Sequence, residues 1–298
     1  MHRVRRDQYI YEFTAGAPPV LTIDPGDQVV FETLDASTGR IRKSEDLLTY
    51  LQVRDATKVN PAAGPVFVRG AMPGDEIIVV IESMDLAGQG YVGARPPSQV
   101  IEQGIEGPLT YIVKVESGEL HLPGNVRLPA RPMVGTIGTA PAEGLVYTAD
   151  PGPQGSNLDC NIVKPGSVVH LPVNVEGALL ALGDVHASMG DGEVTGNGVE
   201  IEADVTATIQ LSPGSSRNWP WIEVDGQIHT VGFGPTLQQA VNMACEAMIE
   251  LLTERLAVSR TEAFMLVSVQ GDCHVGQCCG GLDATAYVSF PDTPAERR

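Results

Sequence analysis

Val20-Leu21-Thr22-Ile23, Asp24-Pro25-Gly26-Asp27, Gln28-Val29-Val30-Phe31-Glu32-Thr33: this stretch decides the fold class. Two runs rich in β-branched residues flank a four-residue turn. Proline at the second turn position presets φ, and glycine at the third accepts φ > 0, which is the chemistry of a type II turn. The device recurs. Met72-Pro73-Gly74-Asp75 separates Pro65–Gly70 from Glu76–Ser83, and Lys164-Pro165-Gly166-Ser167 precedes Val168–Pro172. Pro-Gly turns followed by β-branched runs predict an antiparallel sandwich or barrel over the first two hundred or so residues. The spacings differ, so they do not define an internal repeat.

Helices are expected near the C-terminus. Thr236–Leu256 places Leu237, Val241, Ala244, Met248, Leu251 and Leu252 on one 3.6-period face, with Pro235 just ahead. Ser259-Arg260-Thr261-Glu262 is a capping box that opens a second helix into Ala263–Val269. A shorter helical piece is expected around Ser44–Leu51, and the tail Pro291–Arg298 reads as frayed. The expected fold is therefore mainly β with a smaller α+β part: an antiparallel β-sandwich or barrel core with C-terminal helices. Residues 1–230 form the β-rich region and 231–298 a helix-containing part packed on it, as two units or one continuous domain.

The composition narrows the function. Lys plus Arg number 19 and Asp plus Glu 37, a formal net charge of −18. Such acidity opposes nucleic-acid partners, which need basic phosphate contacts, and opposes docking on anionic lipid. No apolar run reaches the roughly 18 residues of a membrane span. Basic Met1–Arg6 leads into Tyr9–Ala17, which Glu12 and Gly16 interrupt, so no signal peptide is expected. Five cysteines, an odd number in a long chain, fit reduced thiols in a cytoplasm.

The acidity is concentrated. Between Pro165 and Ser216 there are seven acids (Glu176, Asp184, Asp191, Glu193, Glu200, Glu202 and Asp204) and no Lys or Arg. Carboxylates without cationic partners repel one another, and burial worsens this. Either they are solvated or a cation sits among them. The centre is Gly183-Asp184-Val185-His186-Ala187-Ser188-Met189-Gly190-Asp191-Gly192-Glu193-Val194. Asp184 and His186 are two apart, so on a strand they share a face and set a carboxylate beside an imidazole, as a divalent metal site requires. By the same alternation Glu200, Glu202 and Asp204 read as the wet face of a half-buried strand. Asp159, in a Gly/Asn/Asp loop, is a third ligand candidate. Cys273-His274 and Cys278-Cys279 read as structural or incidental thiols, because adjacent cysteines do not readily share one tetrahedral ion. Trp219 and Trp221 read as packing residues. Neither a GxSxG elbow nor a phosphate loop occurs.

Taken together, these blocks resemble the acetamidase/formamidase family. The similarity runs through Glu176-Gly177-Ala178, Leu182–Ala187, Gly190–Val194 and Glu200. It also takes in Pro18–Ala36, Asn60-Pro61, Gly64–Gly70, Pro73–Asp75, Gly135–Gly138, Ala140-Pro141, Asn157, Asp159 and Gly271-Asp272. It covers essentially the whole chain, but the segment Cys273–Gly280 departs from the family's pattern. The resemblance implies hydrolysis of short primary amides (formamide, acetamide) to the carboxylic acid and ammonia, a homo-oligomer (dimer or higher), and a divalent metal, zinc first and calcium second. It implies Asp159, Asp184 and His186 as metal ligands. Zinc would polarise the amide carbonyl and lower the pKa of a water. Glu193 would be the general base with Glu143 in reserve, and Asp191 would orient the loop or His186. The alternatives are a non-enzymatic, metal-stabilised β-rich binding protein and a metal-dependent hydrolase of another small C–N compound.

Overall fold

The computed structural model describes residues 1–94, 100–101, 104–215, 217–279 and 283–292. Ser216, Gly280 and residues 293–298 of the expected frayed tail lie outside them. Pro291 does not fray: it ends the strand Ala284–Pro291, and the Asp292 amide donates to the Gly226 carbonyl at 3.0 Å.

The chain forms a large, curled, mostly antiparallel sheet, with helices concentrated at the C-terminal end. Its spine is the pairing of its two longest strands, Glu76–Ala94 and Glu200–Ser212. The three Pro-Gly turns form as their chemistry requires. Gly26, Gly74 and Gly166 have φ of 94°, 95° and 90°. Each turn closes with an amide-to-carbonyl bond across it: Asp27 to Asp24 (3.1 Å), Asp75 to Met72 (3.0 Å) and Ser167 to Lys164 (2.9 Å). None of the three closes a hairpin. Leu21–Ile23 runs parallel to Ala62–Val68, whereas Gln28–Thr33 pairs antiparallel with Glu200–Ser212 and parallel with His2–Val4. The turn instead carries the chain from one part of the curled sheet to another.

Helix α2 spans Leu237–Leu256, capped by the Thr236 side chain, which accepts from the Gln239 amide. Helix α3 spans Arg260–Gln270, and both halves of its capping box are formed between Ser259 and Glu262. The helices bury Ala244, Met248, Leu251, Leu252, Ala263 and Val267 against Trp219, Trp221, Val288 and Phe290. Trp221 also stacks on His170 with centroids 3.5 Å apart, and its Nε1 donates to Glu76 Oε2 at 3.0 Å, so it packs and satisfies a buried carboxylate at once. A short helix, α1, spans Asp46–Val53 and buries Leu47 and Tyr50. Among the described residues, no helix is long and apolar enough to cross a membrane.

The main core lies inside the curl. Phe31, Val66, Ile77, Val79, Leu171, Leu180, Leu182, Val205 and Ile209 are all fully buried there. Each such side chain contributes about 1.5–3 kcal/mol relative to exposure. Strand Leu180–His186 is buried along its whole length, between Met133–Gly138 and Ala62–Val68. It brings Asp184 and His186 into the protein interior.

A candidate metal-dependent site in a buried acidic cavity

Asp184 and His186 do come together: His186 Nε2 lies 3.7 Å from Asp184 Oδ1 and 3.2 Å from Glu200 Oε1. Glu200 stands directly across from His186 in the neighbouring strand. Expected on a wet face, it is 3% exposed. The wet-face reading suits the other two acids of that strand. Glu202 pairs with Arg42 and Arg6, and Asp204 with Arg3 and Arg6 at 3.1 and 2.9 Å. Their cations come from the N-terminal part of the chain, which is why the local sequence shows none.

Asp159, Asp184, His186, Glu193 and Glu200 are all buried. Single ligand atoms of Asp159, His186 and Glu193 lie within 4.8 Å of one another, as do those of Asp184, His186 and Glu200. Thus Asp159 and Asp184 fall in different trios joined by His186, and Glu193 stands among the ligand candidates. Asp191 lies elsewhere. Its carboxylate accepts from Asn161 (2.7 Å) and from the Tyr287 hydroxyl (3.1 Å), and lies 3.4 Å from His274 Nδ1. Glu143 is exposed in the turn before Leu145–Tyr147.

Backbone conformation marks the same residues. Asp159, Asp184 and Glu193 have φ of 44°, 55° and 43°. This left-handed region is uncommon for residues with a Cβ, at a cost of order 1–3 kcal/mol each. Asp184 therefore does not reach His186 by simple strand alternation, since its own backbone departs from the extended form. Gly135 makes room. A Cβ there would lie 2.5 Å from Asp159 Oδ1 and 2.9 Å from Asp184 Oδ2, so only glycine lets the two carboxylates approach. Asn60 Nδ2 donates to Asp184 Oδ2 (2.8 Å) and to Asn157 Oδ1 (3.2 Å), fixing the outer side of Asp184.

The electrostatics are unfavourable for protein alone. Burial, then the Asp184 charge, pushes Asp159 up to about 8. Burial pushes Glu200 up to about 7 against the opposing pull of His186. Burial and then Asp159 raise Glu193 well above the usual carboxylate range. For His186, burial works downward, but Glu200 and Asp184 together outweigh it and hold the imidazole well above its ordinary value. Asp159 Oδ1, Asp184 Oδ1, Glu200 Oε2 and His186 Nδ1 have no hydrogen-bond partner among the described residues. Buried polar atoms are nearly always satisfied, so orphaned oxygens on clustered, mutually repelling acids fit a divalent cation.

This cluster floors a cavity of about 560 Å³. Asn60, Asn157, Gln277 and Cys279 also line it. Gln277 is 1% exposed and its Nε2 has no hydrogen-bond partner among the described residues. The segment that departs from the family pattern thus forms one edge of the cavity. It is docked there by the Gly192 amide donating to the Val275 and Gly276 carbonyls and by the Cys278 amide donating to the Gly192 carbonyl, each at 2.9 Å. Cys279 Sγ is 3.9 Å from Glu193 Oε2, and burial, then Glu193, pushes its thiol up to about 12. None of the four cysteine and histidine side chains from Cys273 to Cys279 belongs to either candidate ligand trio.

Fold and site together describe a β-rich protein with a buried carboxylate–histidine cluster at the base of a pocket. The pattern of the acetamidase/formamidase family matches residues 11–151 and 143–287, and the chain belongs to that family. The crystal structure of an acetamidase from Bacillus halodurans superposes with a TM-score of 0.92 at 36% identity, covering 97% of each chain. That of an acetamidase from Yersinia enterocolitica gives 0.90 at 28% identity, covering 97% of this chain and 91% of that one. A formamidase from Methylophilus methylotrophus is 26% identical over 237 residues, 60% of this chain. The chain spans 60% and 57% of the lengths of the curated relatives it matches in Schizosaccharomyces pombe and Methylophilus methylotrophus.

Proposed function

We propose that the protein hydrolyses primary amides to carboxylic acid and ammonia, assisted by a divalent metal. One observation carries this reading: two trios of buried potential ligands share His186, their acids line a cavity, and several of those carboxylate oxygens have no partner among the described residues, in a chain of this family. Asp159, Asp184, His186 and Glu200 would hold the cation. A donor set with one imidazole suits zinc better than calcium, which prefers all-oxygen shells. When bound, the cation would polarise the amide carbonyl and make a water more acidic.

The chain's own residues supply the rest. Glu193 takes a proton from the attacking water as its oxygen bonds to the carbonyl carbon, then passes it to the nitrogen as the C–N bond breaks and ammonia leaves. Gln277 Nε2 donates to the carbonyl oxygen, where negative charge develops. Asn60 holds Asp184, and Asp191 fixes the loop that carries Glu193 through Asn161, Tyr287 and His274. Free cysteines among the described residues support a reducing, cytoplasmic setting, and the family resemblance supports assembly of identical subunits.

The test is ammonia release from a panel of primary amides, formamide and acetamide included, before and after exhaustive chelation. Release that chelator abolishes and added zinc restores is expected. No release from any amide sinks the reading, and release untouched by metal removal sinks its metal component. Gln277→Ala should lower kcat/KM by roughly 10²–10³, the loss typical of removing one donor to a developing oxyanion. Unchanged kcat/KM would remove Gln277 from the machinery.

A further inference from the structure

The cavity has two unlike linings, which adjoin where Tyr91 pairs with Glu200 across neighbouring strands. Its floor is the acidic cluster, and one wall is apolar, made by Ile41, Leu47, Tyr50, Leu51 and Tyr91. These side chains form a small hydrophobic cluster of their own, separate from the main core. Two come from α1 at buried positions, Leu47 and Tyr50, 6% and 9% exposed, and Leu51 beside them is half-buried. Packed with them in that cluster is Tyr91, at 5% exposure, on the long strand Glu76–Ala94.

Size is the second observation. Cavities that take up drug-sized ligands measure about 300–1,000 Å³. At about 560 Å³ this one lies inside that range, far beyond what formamide or acetamide, with a handful of heavy atoms, fills. A two-carbon amide bound at the floor would leave the apolar wall facing water. An acyl group that reached the wall would displace that water and gain about fourfold in binding for each methylene buried. Binding energy from such a remote part of the substrate is also available to orient the reacting carbonyl.

We infer that the preferred substrates are primary amides with a bulky apolar acyl group, branched aliphatic or aryl, seated against the wall built by Ile41, α1 and Tyr91. This rests on the amidase reading and sharpens it to a substrate class. Nothing in it depends on the identity of the metal.

The experiment measures kcat/KM by ammonia release for formamide, acetamide, isovaleramide and phenylacetamide, on the metal-loaded protein and on Leu47→Ala and Leu51→Ala. From acetamide to the two bulky amides kcat/KM should rise by at least roughly tenfold. Each variant should lose more on phenylacetamide than on acetamide. Leu51, being half-buried, provides a variant that folds even if Leu47→Ala does not. A flat or falling series, or equal losses on both substrates, overturns the inference while leaving the amidase reading in place. If no amide turns over, the amidase reading falls, and calorimetric binding of the same amides then decides the wall. Tighter phenylacetamide than acetamide supports it, and equal affinities overturn it.

Discussion

Replacing His186 with alanine should remove bound divalent metal and amide hydrolysis together. His186 is the member shared by both candidate ligand trios, so no other single substitution removes a ligand from both. Removing only an outer partner of a metal ligand typically costs ten- to hundredfold in affinity, and loss of an inner ligand should exceed that. A cation contributes several kcal/mol to stabilising charge on a reacting carbonyl, and each 1.36 kcal/mol is tenfold in rate. Turnover should therefore fall by about a thousandfold or more. The checks are elemental analysis of the purified variant and ammonia release. Because His186 is buried, with 1% exposure, His186→Gln is the companion variant that fills the space. Native near-ultraviolet circular dichroism with metal and activity both lost supports the assignment. Full metal content with full turnover in either variant would refute it.

Much of the fold was readable because its signals are local. A Pro-Gly turn dictates its own φ values, and a capping box satisfies its own amides within four residues, so Asp24–Asp27 and Ser259–Glu262 needed no distant partner to be recognised. Strand pairing is not local. Leu21–Ile23 and Gln28–Thr33 stand on either side of a turn that looks like a hairpin's, yet each pairs with a different distant strand.

The site divides the same way. Asp184 and His186 are two residues apart and could be joined on paper. Glu200 belonged to the recognised family block, but strand alternation grouped it with Glu202 and Asp204, whose arginine partners lie about 160 to 200 residues earlier. What separates the three acids is position along one strand, with the first reaching under the cavity and the others lying beside Arg3, Arg6 and Arg42. Gln277 carried no local signal at all. Its side chain matters only because the segment around it docks on the loop at Gly192. The left-handed backbone at Asp159, Asp184 and Glu193 was equally invisible, since tertiary packing imposes it against the residues' own preference.

The sharpest division of labour in the cluster concerns Glu193. It belongs to a ligand trio with Asp159 and His186, yet it also lines the cavity, on the loop that closes against the Gln277 segment. Asp159, Asp184 and Glu200 line it as well, but at 1–3% exposure they lie deeper than Glu193 at 7%, and His186 does not line it at all. A side chain that faces the substrate space can reach both the attacking water and the departing nitrogen, and that is the requirement for a general base that later serves as acid. Glu193→Gln keeps the size and hydrogen-bonding shape of the side chain while removing its ability to take a proton. Metal content should stay at the wild-type level, KM should change little, and kcat should fall by the 10²–10⁴ typical of a general base. The two measurements separate the roles. If metal is lost along with kcat, Glu193 is a ligand and the base must be sought elsewhere. If neither metal nor kcat changes, it is neither ligand nor base, and its strained backbone and buried carboxylate need another explanation.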